Sequence, residues 1–206
     1  ELERARGITI FSKQALFETE DLSVTLLDTP GHVDFSAEME RPLQVLDYAI
    51  LVISATDGVQ AHTETLWRLL RQRQIPTFVF LTKMDLPNPG RAALMAQLRK
   101  HLDEGCLDFT EQDEDWLEAI AMREDALLDQ YLDTGKVDPR DISGLIRLGK
   151  LFPCFFGSAL LKQGAVFLRV GSSRICSGLS SGSCSFTRSA YKSFVTISIF
   201  SMGITC

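Results

Sequence analysis

After Asp141 the chain contains no acidic residue, although 27 Asp and Glu precede that point. Residues 1–141 carry a net charge of −13, and residues 142–206 a net charge of +7. The acidic character of the longer part argues against a surface that grips a DNA or RNA backbone directly. Long apolar runs are missing too. No stretch reaches about 18 uninterrupted apolar residues, so no simple membrane-spanning helix is predicted. No basic segment followed by an apolar run and a small-residue cleavage site opens the chain, so no secretory leader is predicted. Cysteine is scarce: the five residues 106, 154, 176, 184 and 206 form neither a C-x-x-C pair nor a cluster with His. That pattern predicts a cytoplasmic, reducing location and no structural metal. The first residue is Glu1 rather than Met, which predicts a piece of a longer protein.

What is present is a chain of 206 residues, 45% of them hydrophobic. That is enough for one domain with a sizeable core. Strand-like segments run over 8–11 and 15–18, 23–28, 48–54, 77–81 and 151–156, rich in aliphatic, β-branched and aromatic residues. Helical periodicity covers 61–74, where Leu66, Leu69 and Leu70 recur at helical spacing, and 91–102. An acidic stretch, 114–132, reads as one further helix. A helix over 34–46 contains Pro42, which should kink or split it. Strands alternating with helices predict an α/β fold, a mostly parallel sheet covered on both faces. In such sheets ligands bind beyond the carboxyl ends of the strands.

From about Gln163 the composition changes. Residues 163–206 hold 11 Ser, three of the five Cys and no acid. They read either as a flexible Ser/Gly-rich tail or as out-of-frame translation. The predicted division is therefore a folded domain over 1–162 and a disordered or out-of-frame segment over 163–206.

Four short motifs sit at predicted strand ends. Asp28-Thr29-Pro30-Gly31-His32 places a carboxylate able to hold a Mg²⁺-bound water beside a glycine that lets the backbone approach a terminal phosphate. Arg6-Gly7-Ile8-Thr9 offers a hydroxyl that could complete a Mg²⁺ shell. Thr82-Lys83-Met84-Asp85 offers a carboxylate that accepts two hydrogen bonds from guanine, a pair adenine cannot donate, and a lysine stem that can lie on the purine. Gly157-Ser158-Ala159-Leu160 offers a backbone N–H for the guanine O6. Singly, each is an ordinary turn; their order and placement make them strong together.

Glu3 to Ile10, Asp28 to Phe35, Thr82 to Asp85 and Ser158 to Leu160 resemble the second to fifth nucleotide-binding motifs of translational GTPases. Ile53 to Thr63 and Asp108 to Glu111 are most similar to the elongation factor G-like tetracycline-resistance, or ribosomal protection, proteins, with elongation factor G a close neighbour. The resemblance implies a P-loop NTPase-like G domain, partial over 1–162 and with an insertion at about 87–150, that uses GTP and Mg²⁺, hydrolyses GTP when stimulated by the ribosome, and contacts neither membrane nor DNA. It implies Thr9 and Asp28 as Mg²⁺-side residues and Gly31 at the γ-phosphate. His32 would position the attacking water and Ile8 would gate it. Thr29, Pro30, Thr82, Lys83, Asp85, Ser158, Ala159 and Leu160 complete the GTP-binding set.

The sequence departs from that family in two ways. It holds no G-x-x-x-x-G-K-[ST] run, the loop that cradles phosphates. The strand before that loop, expected to be central in the sheet, goes with it. Thr82 also stands where the family usually has Asn, which should weaken the bracing of the base loop. The intact parent is thus expected to be an enzyme and this polypeptide to be inactive. The alternatives are elongation factor G itself, an inactive truncated or frameshifted product, or an ATP-binding domain, the last disfavoured by Lys83 and Asp85.

Overall fold

The computed structural model describes residues 13–18, 22–30, 42–110, 114–161, 163 and 193–202. Seven strands form one sheet: β1 Lys13–Glu18, β2 Leu22–Pro30, β3 Tyr48–Ser54, β4 Thr77–Thr82, β5 Cys106–Asp108, β6 Phe152–Phe156 and β7 Ser193–Met202. Their spatial order is β1-β2-β7-β3-β4-β6-β5. β1 pairs antiparallel with β2 and every other pairing is parallel. Among the described residues there are five α-helices, α1 Ala61–Gln72, α2 Arg91–His101, α3 Glu114–Ala121, α4 Asp125–Thr134 and α5 Pro139–Arg147. No helix among the described residues is long and apolar enough to cross a membrane.

Successive strand residues face opposite sides of a sheet, and the core divides accordingly. Leu51 and Ile53 of β3 and Val79 and Leu81 of β4 pack with Leu66, Trp67 and Leu70 of α1 and Leu94 and Leu98 of α2. Ile50, Phe78 and Phe80 face the other way, onto Ile120 of α3, Leu127 of α4 and Leu145 and Ile146 of α5. Helices therefore cover both faces, as the alternation of elements predicts. All six residues of β4 are buried, which is why that strand reads as an unbroken apolar run rather than as an alternation.

Four features differ from the sequence reading. The acidic stretch 114–132 is two helices, not one. The chain breaks at Met122–Glu124, where Arg123 turns to donate from Nη2 to the Glu104 carbonyl at 2.9 Å. Glu124 is extended at the start of α4, which ends on Gly135 in the left-handed region, φ 64°. α5 is an additional helix. Asp138 caps it, accepting from the Arg140 N–H at 2.8 Å, and Pro139 opens its first turn. β5 is a three-residue edge strand.

The fourth difference is the largest. Ser193–Met202, within the 163–206 segment read as disordered or out-of-frame, is strand β7. It pairs with β2 from Leu22↔Ser193 to Pro30↔Ser201 and with β3 from Tyr48↔Ile197 to Ile53↔Met202. The run contains no charge, Gly or Pro, and its Phe, Val, Thr and Ile favour a strand. Pro42 begins a short 3₁₀ turn, Pro42–Gln44. The rest of the helix expected over 34–46 lies mostly outside the described residues, as does the strand expected over 8–11.

Candidate functional site

The parallel strands place their carboxyl ends along one edge of the sheet. At that edge β4 and β6 are neighbours, with Leu81 opposite Phe156. Their exit loops are tied together by the main chain. The Gly157 N–H donates to the Leu81 carbonyl at 2.9 Å, and the Met84 N–H donates to the Gly157 carbonyl at 3.2 Å. Thr82 is buried, and its carbonyl accepts from the Ala55 N–H at 2.9 Å, which fastens the β3 exit to the same point.

Beyond Thr82 the chain turns sharply. Lys83 adopts φ 62°, a left-handed conformation that a side-chain-bearing residue takes at a cost of about 1–2 kcal/mol. The turn is closed by the Leu86 N–H on the Lys83 carbonyl at 3.1 Å. Asn88 locks it further, donating from Nδ2 to the Leu86 carbonyl at 2.7 Å and accepting from the Gly90 N–H at 2.9 Å. Lys83 is half-buried and Asp85 exposed. The carboxylate is thus displayed on a held turn, where a planar donor pair can meet it.

The facing loop is held as firmly. Ser158 is buried; its main chain exchanges two hydrogen bonds with Gln163, both 3.0 Å, and its Oγ accepts from the Leu161 N–H at 3.2 Å. Ala159 and Leu160 lie on the outside of this small loop, Leu160 82% exposed.

Behind the loop lies a brace that the sequence did not reveal. β5 ends at Asp108, and past its end the Thr110 hydroxyl takes over as the ladder acceptor. The Phe156 N–H donates to Thr110 Oγ1 at 3.1 Å across 46 residues of sequence. Asp108 Oδ1 accepts from the Thr110 N–H at 2.8 Å, and Asp108 Oδ2 meets Arg91 Nη2 at 2.7 Å. The Arg91 guanidinium stands over the Phe156 ring, 5.2 Å from its centroid. The end of β6, which leads into the Ser158 loop, is therefore positioned by α2 and β5. A run Asp108-Phe109-Thr110 has no periodicity of its own, so only its resemblance marked it.

The structure brings Thr82, Lys83 and Asp85 together with Ser158, Ala159 and Leu160. Asp28 is half-buried on β2 and pairs with Ile199. It is separated from β4 by β7 and β3, roughly 14 Å at about 4.8 Å per strand. Thr29 and Pro30 continue β2 along the same ladder. Ile8, Thr9, Gly31 and His32 lie outside the described residues. The described residues contain no group of three His, Cys, Asp or Glu set to hold a metal. An exposed carboxylate on a rigid turn, with Ala159 and Leu160 exposed on the neighbouring loop, could meet a planar base. Of the two residues expected to serve Mg²⁺, Thr9 and Asp28, only Asp28 is among the described residues.

The family model for the elongation factor Tu GTP binding domain matches residues 1–181. The chain is 38% identical over 190 residues to the oxytetracycline resistance protein of Streptomyces rimosus, covering 80% of this chain and 29% of that protein. It is 38% identical over 189 residues to tetracycline resistance protein TetM of Streptomyces lividans, covering 82% and 30%. The chain thus spans less than a third of the length of these relatives. A solved structure from Thermus thermophilus shares the fold, with a TM-score of 0.74 at 22% identity over 84% of this chain and 33% of that one. With its sheet, its strand-end loops and a family match over most of its length, the chain belongs to the GTP-binding domain family of elongation factor Tu, among the translational GTPases, and is homologous to the tetracycline resistance proteins.

Proposed function

We propose that this chain carries the guanine-reading side of a GTP site whose parent protein hydrolyses GTP on the ribosome and protects it from tetracycline. The observation that carries this reading is the main-chain tie between the Lys83–Asp85 turn and the Ser158–Leu160 loop through Gly157. In it, Asp85 accepts from the guanine N1–H and exocyclic amine, the Lys83 stem covers the ring, and a backbone N–H of the 158–160 loop meets O6. Thr82 supports the loop from within, in place of an amide side chain. Asp28 and Thr9 serve Mg²⁺, and Thr29, Pro30 and Gly31 lie along the terminal phosphate. His32 orients the attacking water once the apolar residue Ile8 admits it. Bound GTP with Mg²⁺ supplies the phosphoryl group to be transferred; the protein's part is positioning and charge stabilisation. The work is cytoplasmic, where ribosomes are.

The sequence holds no phosphate loop, so the 206-residue polypeptide by itself binds GTP only weakly and does not hydrolyse it. A second reading, a truncated or frameshifted non-enzymatic product that retains these loops, is favoured by the loss of acidic residues and the Ser/Cys bias after residue 163. Two measurements separate the readings. A continuous reading frame upstream of Glu1 encoding G-x-x-x-x-G-K-[ST], whose product shows ribosome-stimulated hydrolysis of GTP and not ATP, supports the enzyme. Micromolar binding of a labelled GTP analogue to the purified 206-residue chain contradicts the expected weakness.

A further inference from the structure

One bond joins the tips of the two base-side loops directly: the Met84 N–H donates to the Gly157 carbonyl at 3.2 Å. A second connection runs behind them and meets at Asp108. From the Lys83 turn, Asn88 Nδ2 donates to the Met84 carbonyl at 3.3 Å, and Asn88 Oδ1 accepts from the Gly90 N–H at 2.9 Å. Gly90 leads into Arg91, the first residue of α2, whose Nη2 meets Asp108 Oδ2 at 2.7 Å. From the other loop, the Phe156 N–H, one residue before Gly157, donates to Thr110 Oγ1 at 3.1 Å, and the Thr110 N–H donates to Asp108 Oδ1 at 2.8 Å. The contacts close a ring from Met84 round to Gly157, and its two halves join at the Asp108 carboxylate.

We propose that Asp108 is a positioning residue for guanine reading: it fixes the distance between the Asp85 turn and the Ser158–Leu160 loop, and so the place of the backbone N–H that meets O6. The inference rests on the base-side reading given above. A single bond at Gly157 leaves the two loops free to pivot about it; a second tie behind them removes that freedom. Asp108 suits the task because its two oxygens accept in different directions, one from a cation and one from an amide. An Asn there would keep one acceptor but turn an NH₂ donor toward the Arg91 guanidinium, itself a donor. The Asp108 side chain is 25% exposed, so solvent screens the pair less than it screens a pair on the open surface.

The consequence is a division of labour in recognition. The Asp85 turn is closed by its own bonds, the Leu86 N–H on the Lys83 carbonyl and the contacts of Asn88. A bound base follows its stronger anchor, the carboxylate that takes two charge-assisted hydrogen bonds. When the spacing of the loops loosens, the base stays with Asp85 and the bond to O6 is lost. Asp108 therefore governs the reading of O6 and leaves the reading of the exocyclic amine to Asp85.

Nuclear magnetic resonance titrations of the full chain with guanosine, inosine and 6-thioguanosine test it. Inosine lacks the exocyclic amine; 6-thioguanosine keeps the amine and N1–H but carries sulfur, a poorer acceptor, in place of O6. The unmodified chain should bind guanosine about five-fold more tightly than 6-thioguanosine, the worth of one hydrogen bond. In Asp108→Asn that preference should all but vanish, while the preference for guanosine over inosine stays. Arg91→Met, which removes the cation and keeps an apolar stem, should do the same and carries the comparison if Asp108→Asn does not fold. Arg91→Lys, which keeps the charge, should restore part of the preference. If both preferences persist in Asp108→Asn and Arg91→Met, or both fall together, the assignment to Asp108 is overturned while the base-side reading stands. No response of the unmodified chain to guanosine sinks the base-side reading and the assignment with it.

Discussion

Replacing Thr110 by Val keeps the shape of the side chain and removes the acceptor that extends the β6 ladder. The Phe156 N–H, on a residue only 5% exposed, donates to Thr110 Oγ1 at 3.1 Å. A buried donor left without a partner costs about 1–3 kcal/mol. Thr110 is half-exposed, so water can reach part of the vacated position and the loss falls in the lower half of that range, about 1.5 kcal/mol. With a urea dependence of about 2 kcal/mol per molar, the midpoint moves down by roughly 0.7 M at unchanged slope. In thermal unfolding the same loss lowers Tm by about 3–6 °C. Thr110→Ser keeps the hydroxyl and recovers most of the loss. Exchange at the Phe156 amide rises in the Val variant before that of Val79 or Leu81. A midpoint shift under about 0.2 M, or equal losses in Val and Ser, would refute the bracing role of Thr110.

Phe152 is fully buried, edge-on to Trp67 with ring centroids 4.6 Å apart and with the Arg71 guanidinium 4.9 Å from its own; Phe152→Ala should cost about 3–5 kcal/mol in urea unfolding, with altered Trp fluorescence, and a loss under about 1.5 kcal/mol contradicts the packing. Burial, and then the neighbouring Cys106, pushes the Cys154 thiol well above its ordinary value. A group raised in the folded state contributes its stability below the unfolded pKa and loses it as pH climbs through the folded one. Stability should therefore fall above about pH 8.5, and Cys154→Ala should flatten that fall in midpoints taken at several pH values. Gln74, exposed at φ 55° just past α1, pays the left-handed cost of an L-residue; Gln74→Gly should leave stability unchanged or raise it by up to about 1 kcal/mol, and a drop in Tm would contradict that.

The parts of the fold legible in the sequence are those whose burial imposes a pattern. β3, β4 and β6 are covered on both faces and read as apolar runs, and α1 shows its buried Leu66 and Leu70 at helical spacing. α5 was hidden because it is short, although Asp138-Pro139 is a sound start signal. The break between α3 and α4 depends on a long-range bond, Arg123 to the Glu104 carbonyl, which no local window contains. β7 was hidden by its surroundings: three of its ten residues are Ser, and it follows a Ser/Gly-rich stretch whose composition suggests disorder. The uncharged run Phe194 to Phe200 was the available signal. The position of the Thr82–Asp85 and Ser158–Leu160 motifs just past strands was legible, but what holds them was not. Gly157, Asn88 and Thr110 act through a few hydrogen bonds each, at positions that have no sequence period.

The most direct test of the guanine-reading site is a nuclear magnetic resonance titration of the full chain with guanosine and, separately, adenosine. A nucleoside offers only its base and ribose for contact, so the affinity should be weak, with Kd on the order of millimolar. Guanosine should shift the amides of Lys83, Asp85, Ala159 and Leu160, adenosine should leave them in place, and Asp85→Asn should remove the guanosine response. Equal shifts with both nucleosides, or a guanosine response unchanged by Asp85→Asn, would contradict the assignment.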